Sequence, residues 1–329
     1  MDNPVRLGIL GLDHWYAAIP LAERAAADPA VDLRVIADPD PERATHVSRL
    51  TGGVRTSTDF EAVLADDGIE AIACFPSLER SPALTIAAAR AGKHIIGVKP
   101  LARTLAEADA VVEAVEQAGI CYVPSEARRD SPLSRRLAEL VRSGRIGELR
   151  SGAFSMHSGL PKSWPGSEAP GWFADPACVP GGGWIDHSVY HLDRLRHLFD
   201  SPIASITGTV TNLAYPELPV EDYGHATVVL GNGAVVGVED TWIAPPGCSS
   251  NRVQLVGSAG AIYYDSMSLG VADAGGEWSF TALPPDPFGN LDALLAVLRH
   301  GAQPSATVHT ARATLAACLD FYATARKTS

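Results

Sequence analysis

Hydrophobic and polar positions follow two alternating patterns in the first part of the chain. Short apolar runs rich in β-branched residues, such as VRLGIL and VDLRVIAD, predict buried strands. Between these runs the apolar residues recur every three or four positions, as in LAEADAVVEAVEQAG, which predicts amphipathic helices. Because parallel strands need crossover helices, the alternation predicts a doubly wound parallel sheet of the Rossmann type.

The pattern changes after the helical segment SPLSRRLAELVRSG. Five strand-like segments follow with few helices between them, and GNGA between two valine-rich runs is a hairpin signal. This succession of strand-like segments predicts an α+β domain with a large, mostly antiparallel, open-faced sheet. We expect a helix containing GGGWIDHSVYHLD at one edge of that sheet. The fold class is therefore α/β, and the predicted domains are 1–124 and 125–329, of which the second ends in a helical segment.

The composition of the chain disfavours several classes of binding partner. The 329 residues carry a formal charge of −12, which would repel nucleic acids and anionic membranes. No apolar run approaches the roughly 20 residues of a membrane span, and the N-terminus lacks a secretory pattern. The five scattered cysteines form neither a disulfide framework nor a zinc motif, so we expect a protein of the reducing cytoplasm.

The stretch GILGLDHWY follows the first predicted strand and leads into the first helix. A dinucleotide pyrophosphate binds at this place, with Gly8 and Gly11 expected in the tight turn. In the pattern G-x-G-x-x-G the next glycine positions fall on Asp13 and Tyr16, and a carboxylate there is expected to repel the pyrophosphate. An ordinary strand-to-helix turn is the alternative. The predicted cofactor-binding residues of this stretch are Gly8, Gly11, Leu12, Asp13 and His14.

The second strand ends in IADPDPERA. Its Asp38 occupies the place of the acid that binds an adenosine ribose and disfavours a 2′-phosphate, which favours NAD over NADP. A helix cap or a turn aspartate is the alternative interpretation of the same residue.

The motif helix carries two pairs of polar residues four positions apart, Asp186 with Tyr190 and His187 with His191. Each pair shares one helical face. The pattern leaves three hypotheses open: an acid/base site, a metal site to which Asp186 or His157 adds a third ligand, or a polar helix surface. We expect no metal, with His187, His191 and Asp186 as the metal alternative.

Several segments in order resemble the glucose–fructose oxidoreductase/inositol dehydrogenase (Gfo/Idh/MocA) family. They include ADPDPERA, AGKHIIGVKPLA, SGRIGELRSG, GGGWIDHSVYHLD and GHATVVLGNGAVVGVED through VQLVGSAGAIYYD, so the resemblance spans nearly the whole chain. It implies a nicotinamide-binding Rossmann domain and an open-faced substrate domain. Members commonly oxidise a ring carbinol of a sugar, cyclitol or related polyol, and many form dimers or tetramers through the open sheet.

The resemblance also implies roles for single residues. The lysine of the family's E-K-P motif, which points at the reacting carbinol and the nicotinamide ribose, corresponds to Lys99. Asp186 takes the place of the acid that orients substrate hydroxyls, and Tyr190 takes the place of the His or Tyr acid/base. A register shifted by one position would give that role to His191 instead, but it would lose Asp186. The predicted catalytic residues are therefore Lys99, Asp186 and Tyr190.

Further residues are candidates for substrate contacts. His157 lies on a predicted cleft strand, Arg128 follows the last Rossmann strand, and Trp172 in the long loop 161–183 could stack on a sugar ring or pack the loop, as could Trp164. The predicted substrate-binding residues are His157, His187, His191, Arg128 and Trp172.

The leading hypothesis for the function is an NAD-dependent oxidoreductase. The sequence departs from the family at Asp13, at Val98 in place of the glutamate before Lys99, and at PSLERS, where members often have P-N-x-x-H. These departures leave two alternatives: a lyase, epimerase or eliminating glycosidase that uses bound NAD transiently or a metal, and a non-catalytic binding protein.

Overall fold

The computed structural model describes residues 3–283 and 290–328. Within them the chain forms two compact units. Unit 1 contains residues 3–130, 164–167 and 290–313, and unit 2 contains residues 131–163, 168–283 and 314–328.

Unit 1 is built on a six-stranded parallel sheet in the order β3-β2-β1-β4-β5-β6. Its strands are β1 (Val5–Leu10), β2 (Val31–Ala37), β3 (Thr56–Ser57), β4 (Ala71–Cys74), β5 (His94–Gly97) and β6 (Tyr122–Pro124). Its helices are α1 (Trp15–Ala27), α2 (Pro41–Leu50), α3 (Phe60–Leu64), α4 (Ser81–Arg90), α5 (Leu105–Ala118) and α8 (Asn290–His300). The order, with β1 at the centre, confirms the predicted Rossmann fold.

Local signals set the helix starts of unit 1. The Asp40 side chain accepts hydrogen bonds from the backbone at the start of α2, and Thr104 accepts one from Glu107 N at the start of α5. Both are N-caps of the usual kind. Gly119 ends α5 in the left-handed conformation that glycine adopts without strain.

Unit 2 is built on a nine-stranded sheet in the order β14-β13-β12-β11-β7-β10-β9-β8-β15. Its strands are β7 (Leu149–His157), β8 (Ile203–Thr211), β9 (Tyr223–Leu230), β10 (Val235–Thr241), β11 (Ser250–Gly257), β12 (Gly260–Asp265), β13 (Ser268–Asp273), β14 (Trp278–Ala282) and β15 (Arg326–Lys327). Its helices are α6 (Pro132–Arg142) and α7 (Gly183–Phe199), while α9 (Val308–Thr324) begins in unit 1 and ends in unit 2. Only the pairs β7–β10 and β8–β15 are parallel, so the predicted mostly antiparallel sheet is confirmed.

Helix α7 packs against the middle of the sheet, on strands β7, β9 and β10. The expectation that the motif helix lies at one edge is therefore wrong. The reason is the apolar face of α7, because Trp184, Val189 and Leu192 join the buried core beneath these central strands. The other face of the sheet is more exposed, as the alternating burial along β9 shows, and it carries polar residues together with the exposed Val235 and Val256.

No helix in the described ranges is long and apolar enough to cross a membrane.

Candidate active site

The glycine loop of unit 1 connects β1 to α1. Gly11 has φ +79°, and a side chain there would lie 2.6 Å from Pro76 N, so only glycine fits this close approach to the end of β4. Gly8, which we expected in the turn, lies inside β1 and pairs with Val35 and Ile72. Its lack of a side chain relieves crowding, because a Cβ atom would lie 3.2 Å from Val35 Cγ1.

The negative charge of the Asp13 carboxylate is offset by a nearby guanidinium. Its Oδ1 lies 3.0 Å from Nη1 of Arg43, the arginine in the first turn of α2, and its Oδ2 accepts a hydrogen bond of 2.8 Å from Ser77 N. The expected repulsion of a pyrophosphate overlooked this partner, because Arg43 lies 30 positions away in the sequence. The guanidinium offsets the carboxylate, and the carboxylate in turn links the loop to α2 and to the segment after β4.

Asp38 follows β2 and is only 2% exposed. Its Oδ2 accepts a hydrogen bond of 2.7 Å from Leu12 N, and its Oδ1 accepts one of 2.9 Å from Asp40 N. Burial raises the pKa of Asp38, although these two hydrogen bonds act to lower it. The carboxylate therefore ties the end of β2 to the glycine loop. His14, also buried, places Nδ1 2.9 Å from the Pro76 carbonyl oxygen.

Lys99 lies two residues after β5, at the carboxyl edge of the parallel sheet where dinucleotide folds bind ligands. It is 3% exposed, and its Nζ lies 5.8 Å from the centre of the Tyr16 ring. Val98, in the place of the family's glutamate, is a core residue. Arg128 follows β6 in the same unit, and its backbone N–H donates to Glu126 O.

The start of α7 in unit 2 depends on a buried carboxylate that the sequence did not reveal. Glu221 Oε1 accepts hydrogen bonds from Gly182 N at 2.9 Å, from Trp184 N at 3.3 Å and from the Tyr322 hydroxyl at 2.6 Å. It satisfies two backbone donors that the helix itself leaves unpaired. A side chain on Gly181 would collide with the Tyr322 ring, and one on Gly182 would collide with Glu221 O, which explains the glycines of the motif.

The first turn of α7 presents Asp186. Its Oδ2 accepts a hydrogen bond of 3.0 Å from the indole Nε1 of buried Trp242, which follows β10. The Asp186 side chain remains 14% exposed, and Tyr190, one turn further on, is partly buried. The His187 Nε2 lies 3.7 Å from the same oxygen of Asp186. The indole thus fixes one carboxylate oxygen of Asp186 while the side chain keeps some access to solvent.

His191 lies in a different environment from its neighbours. It is 2% exposed, its Nδ1 lies 3.2 Å from Asp240 Oδ2, and its ring packs 5.1 Å from the Phe154 ring. Asp240 is fully buried. Among the residues that the structure describes, no group of three or more His, Cys, Asp or Glu side chains is arranged to hold a metal ion.

His157 ends β7 and belongs to a polar cluster of the sheet. Its Nε2 lies 3.3 Å from Glu239 Oε2, and Glu239 also accepts hydrogen bonds from Ser155 and from the Tyr223 hydroxyl. Burial, together with the Glu239 hydrogen bond, raises the pKa of Tyr223 to about 12.

The two loop tryptophans have different neighbours. Trp172 stacks on Phe173 at 4.0 Å in unit 2, whereas Trp164 belongs to unit 1 and lies 4.9 Å from the Arg43 guanidinium. The interpretation of Trp164 as a residue that packs the loop accords with this contact.

The features of unit 1 define a dinucleotide-binding oxidoreductase domain: a Rossmann sheet, a glycine turn before α1, an acid after β2 and a lysine after β5. Residues 5–125 match the family model described as "Oxidoreductase family, NAD-binding Rossmann fold", and residues 134–263 match the GFO/IDH/MocA C-terminal domain. The chain belongs to the Gfo/Idh/MocA family of oxidoreductases.

Curated relatives and solved structures accord with this assignment. The chain is 29% identical over 275 residues to scyllo-inositol 2-dehydrogenase (NAD(+)) of Bacillus subtilis, covering 81% of this chain and 75% of the relative. It is 27% identical over 292 residues to levoglucosan dehydrogenase of Pseudarthrobacter phenanthrenivorans, covering 78% and 71%. A levoglucosan dehydrogenase structure in complex with NADH and levoglucosan shares the fold, with a TM-score of 0.84, 20% identity and coverage of 98% and 97%.

The Glu221 carboxylate predicts a pH-dependent difference in stability. Burial raises the pKa of Glu221 above its ordinary 4.5, so ionisation of this group favours the unfolded chain. Its contribution to stability is present below the ordinary pKa and is lost as the pH rises through the raised one. Glutamine cannot ionise, so we expect the unfolding free energy of the wild type, relative to Glu221→Gln, to fall as the pH rises from 4.5.

Urea denaturation at pH 4.5 to 8 measures this difference. The matched control is Glu217→Gln, the same change at an exposed glutamate four positions earlier, which should show no such trend. Parallel curves for the wild type and Glu221→Gln would contradict the buried-carboxylate account of the start of α7.

Proposed function

We propose that the protein is an NAD-dependent dehydrogenase that acts on a ring hydroxyl, or the corresponding keto group, of a sugar, cyclitol or related polyol. The observation that carries this proposal is the family match of both parts of the chain. The resemblance of the segments around Lys99, Asp186 and Tyr190 to the family's motifs supports it. In this proposal residues 1–124 bind the dinucleotide and residues 125–329 bind the substrate.

The described residues of the glycine loop fit a dinucleotide. Gly11 leaves room at the end of β4, α1 carries no acidic residue in its first turn, and the Asp13 charge is offset by Arg43. The backbone N–H groups at the start of α1 would hold the pyrophosphate. Of the other predicted cofactor residues, Leu12 uses its N–H to bind Asp38, and His14 fixes the turn through Pro76.

The charges near the end of β2 favour NAD over NADP. The Arg43 guanidinium is surrounded by three carboxylates, those of Asp13, Asp38 and Asp40. This local excess of negative charge disfavours binding of a 2′-phosphate. Asp38 accepts one N–H on each oxygen, so each oxygen retains acceptor capacity for a ribose hydroxyl.

The chemistry assigns complementary tasks to three side chains. A bound NAD⁺ would supply the hydride acceptor for the carbinol carbon, and the protein must take the hydroxyl proton. We infer that Tyr190 exchanges this proton, that Lys99 donates a hydrogen bond to the developing alkoxide, and that Asp186 accepts hydrogen bonds from neighbouring hydroxyls. The indole of Trp242 donates to one oxygen of Asp186 and so orients the carboxylate for this task.

The remaining candidates are proposed as substrate contacts. Arg128 and Trp172 offer a guanidinium and an aromatic face, and His157 and His187 offer partly exposed imidazoles. His191 is the weakest of the predicted contacts, because its buried ring faces Asp240.

Steady-state kinetics test the proposal. With NAD⁺ we expect turnover of at least one of scyllo-inositol, myo-inositol and levoglucosan, followed as NADH absorbance. Tyr190→Phe should lower kcat about 10²–10⁴-fold and leave NAD⁺ affinity nearly unchanged, because it deletes a proton-transfer group and keeps the ring. Lys99→Ala should cause a similar loss, and the double variant should be little worse, since groups that act as a unit are not additive.

The matched control is Tyr215→Phe, the same change at a partly exposed tyrosine between β8 and β9, and it should keep wild-type turnover. Full activity of both Tyr190→Phe and Lys99→Ala would refute the assigned roles. Absence of turnover with every probe would refute the substrate class.

We also propose that the protein self-associates as a homodimer, or as a homotetramer built from such dimers, through the open face of the unit 2 sheet. One row of that face crosses five neighbouring strands in register and carries acidic and basic residue types in alternation about a central serine: Asp265, Arg252, Ser155, Glu239 and His225. A two-fold axis along β7 would place Arg252 opposite Glu239 of the second copy, and Asp265 opposite its His225. The row is therefore complementary to itself, as an isologous interface requires.

Arg252→Glu should weaken this association, because it places two acids opposite each other, and Arg252→Glu with Glu239→Arg should restore it. Light scattering after size-exclusion chromatography measures the mass. Arg135→Glu, the same change on exposed α6, is the control and should leave the mass unchanged. A wild-type monomer, or a dimer that survives Arg252→Glu, would rule out this interface.

A further inference from the structure

Tyr16 occupies a position where the dinucleotide-binding pattern has its third glycine. It lies in the first turn of α1, and its ring packs against the core of unit 1. Glycine at this position allows close helix–strand packing, so a tyrosine changes what surrounds the loop. The ring of Tyr16 lies beneath the ammonium group of Lys99, with 5.8 Å between Nζ and the ring centre.

This separation is within the range of a cation–π interaction, for which the cation lies within about 6 Å of the ring centre. Such contacts are strongest where water is excluded, and Lys99 is 3% exposed. Burying an ammonium is costly unless a partner stabilises the charged form. The negative face of the Tyr16 ring stabilises the charged form of the ammonium.

The Tyr16 ring is held from several sides. The turn before it is fixed by His14, whose N–H donates to Phe75 O and whose carbonyl accepts from Ala17 and Ala18. The His14 and Trp15 rings both meet the Tyr16 ring edge to face, at 5.9 and 6.3 Å. A ring held in this way can fix the position of the flexible Lys99 side chain.

We propose that Tyr16 is a positioning residue, whose ring face holds the Lys99 ammonium in place and in its charged form for the alcohol reaction. This inference rests on the proposed function through the role of Lys99. Tyr16 acts through Lys99 and has no proton-transfer role of its own.

The chain has only four lysines, Lys93, Lys99, Lys162 and Lys327, so its lysine side chains can be observed one by one. Protein labelled with ¹³C at the lysine ε carbon should give four resolvable NMR signals, and Lys99→Arg assigns one of them. In the wild type and in Tyr16→Phe, the ε protons of Lys99 should show the upfield shift caused by an aromatic ring. In Tyr16→Leu, which keeps much of the volume and loses the ring, this shift should vanish.

The same signals report proton affinity. The ring favours the ammonium, so Tyr16→Leu should lower the proton affinity of Lys99 about tenfold, whereas Tyr16→Phe should leave it nearly unchanged. The titratable groups on the flanking elements are His14, Cys74, Tyr122 and Glu126, and they are identical in all three proteins. The difference therefore measures the ring. In turnover, Tyr16→Leu should lower kcat about tenfold at unchanged KM for NAD⁺, and Tyr16→Phe should retain it.

If Tyr16→Leu does not fold, a fluorinated phenylalanine at position 16 replaces it, because fluorine weakens the negative ring face and preserves the shape. An unchanged Lys99 shift and proton affinity in the ring-deficient protein, or an unchanged kcat, would overturn the inference. Failure of the proposed function is distinct: Lys99→Ala would then turn over like the wild type, or no probe would react, while the NMR result would still report on the ring and the ammonium.

Discussion

The arrangement of unit 2 depends on the hydrogen bonds that the Glu221 carboxylate accepts at the start of α7. Two backbone N–H groups and the Tyr322 hydroxyl converge on one oxygen of a side chain that is 7% exposed. The backbone adds to this anchor, since Glu221 O accepts from Gly183 N and Asp222 O accepts from Trp242 N. These hydrogen bonds therefore hold together the start of α7, the start of β9 and the end of β10. They also position Asp186 and the Trp242 indole that donates a hydrogen bond to it.

In unit 1 the corresponding polar contacts surround the glycine loop between β1 and α1. Its loop carries an aspartate where the dinucleotide pattern has glycine, and Arg43 and Ser77 satisfy that carboxylate from two other segments. The second departure, Tyr16, places an aromatic ring by Lys99. The departures from the glycine pattern thus form contacts of their own, because the added carboxylate pairs with Arg43 and the added ring lies beside Lys99.

Much of the fold follows from sequence patterns, and much of the site does not. The helix α5 and the hairpin of β9 and β10 were predicted from periodicity and a glycine turn, because those signals are local. The positions of Lys99, Asp186 and Tyr190 came from motif resemblance. The role of Glu221 was missed, because its partners Gly182 and Tyr322 are 39 and 101 residues away. The glycine triplet was the available signal, since three adjacent glycines before a helix indicate close approach of other groups.

Other errors have the same origin. The sequence was interpreted through the polar residues of α7 alone, so the place of this helix under the middle of the sheet was missed. The ion pair of Asp13 with Arg43 was missed because the two residues lie 30 positions apart in the sequence. His191 could not be distinguished from His187, because the sequence does not show which of the two the core encloses. Local patterns specify elements, whereas the partners of a buried polar group depend on tertiary contacts.

The structure and the family assign NAD⁺ to the glycine loop of unit 1, where Arg43 pairs with the extra carboxylate and Asp38 is expected to disfavour a 2′-phosphate. Calorimetric titration of the intact protein with NAD⁺ and with NADP⁺ tests this assignment most directly. We expect saturable binding of one NAD⁺ per chain, clearly tighter than that of NADP⁺. No binding of either dinucleotide, or binding of NADP⁺ as tight as that of NAD⁺, would contradict it.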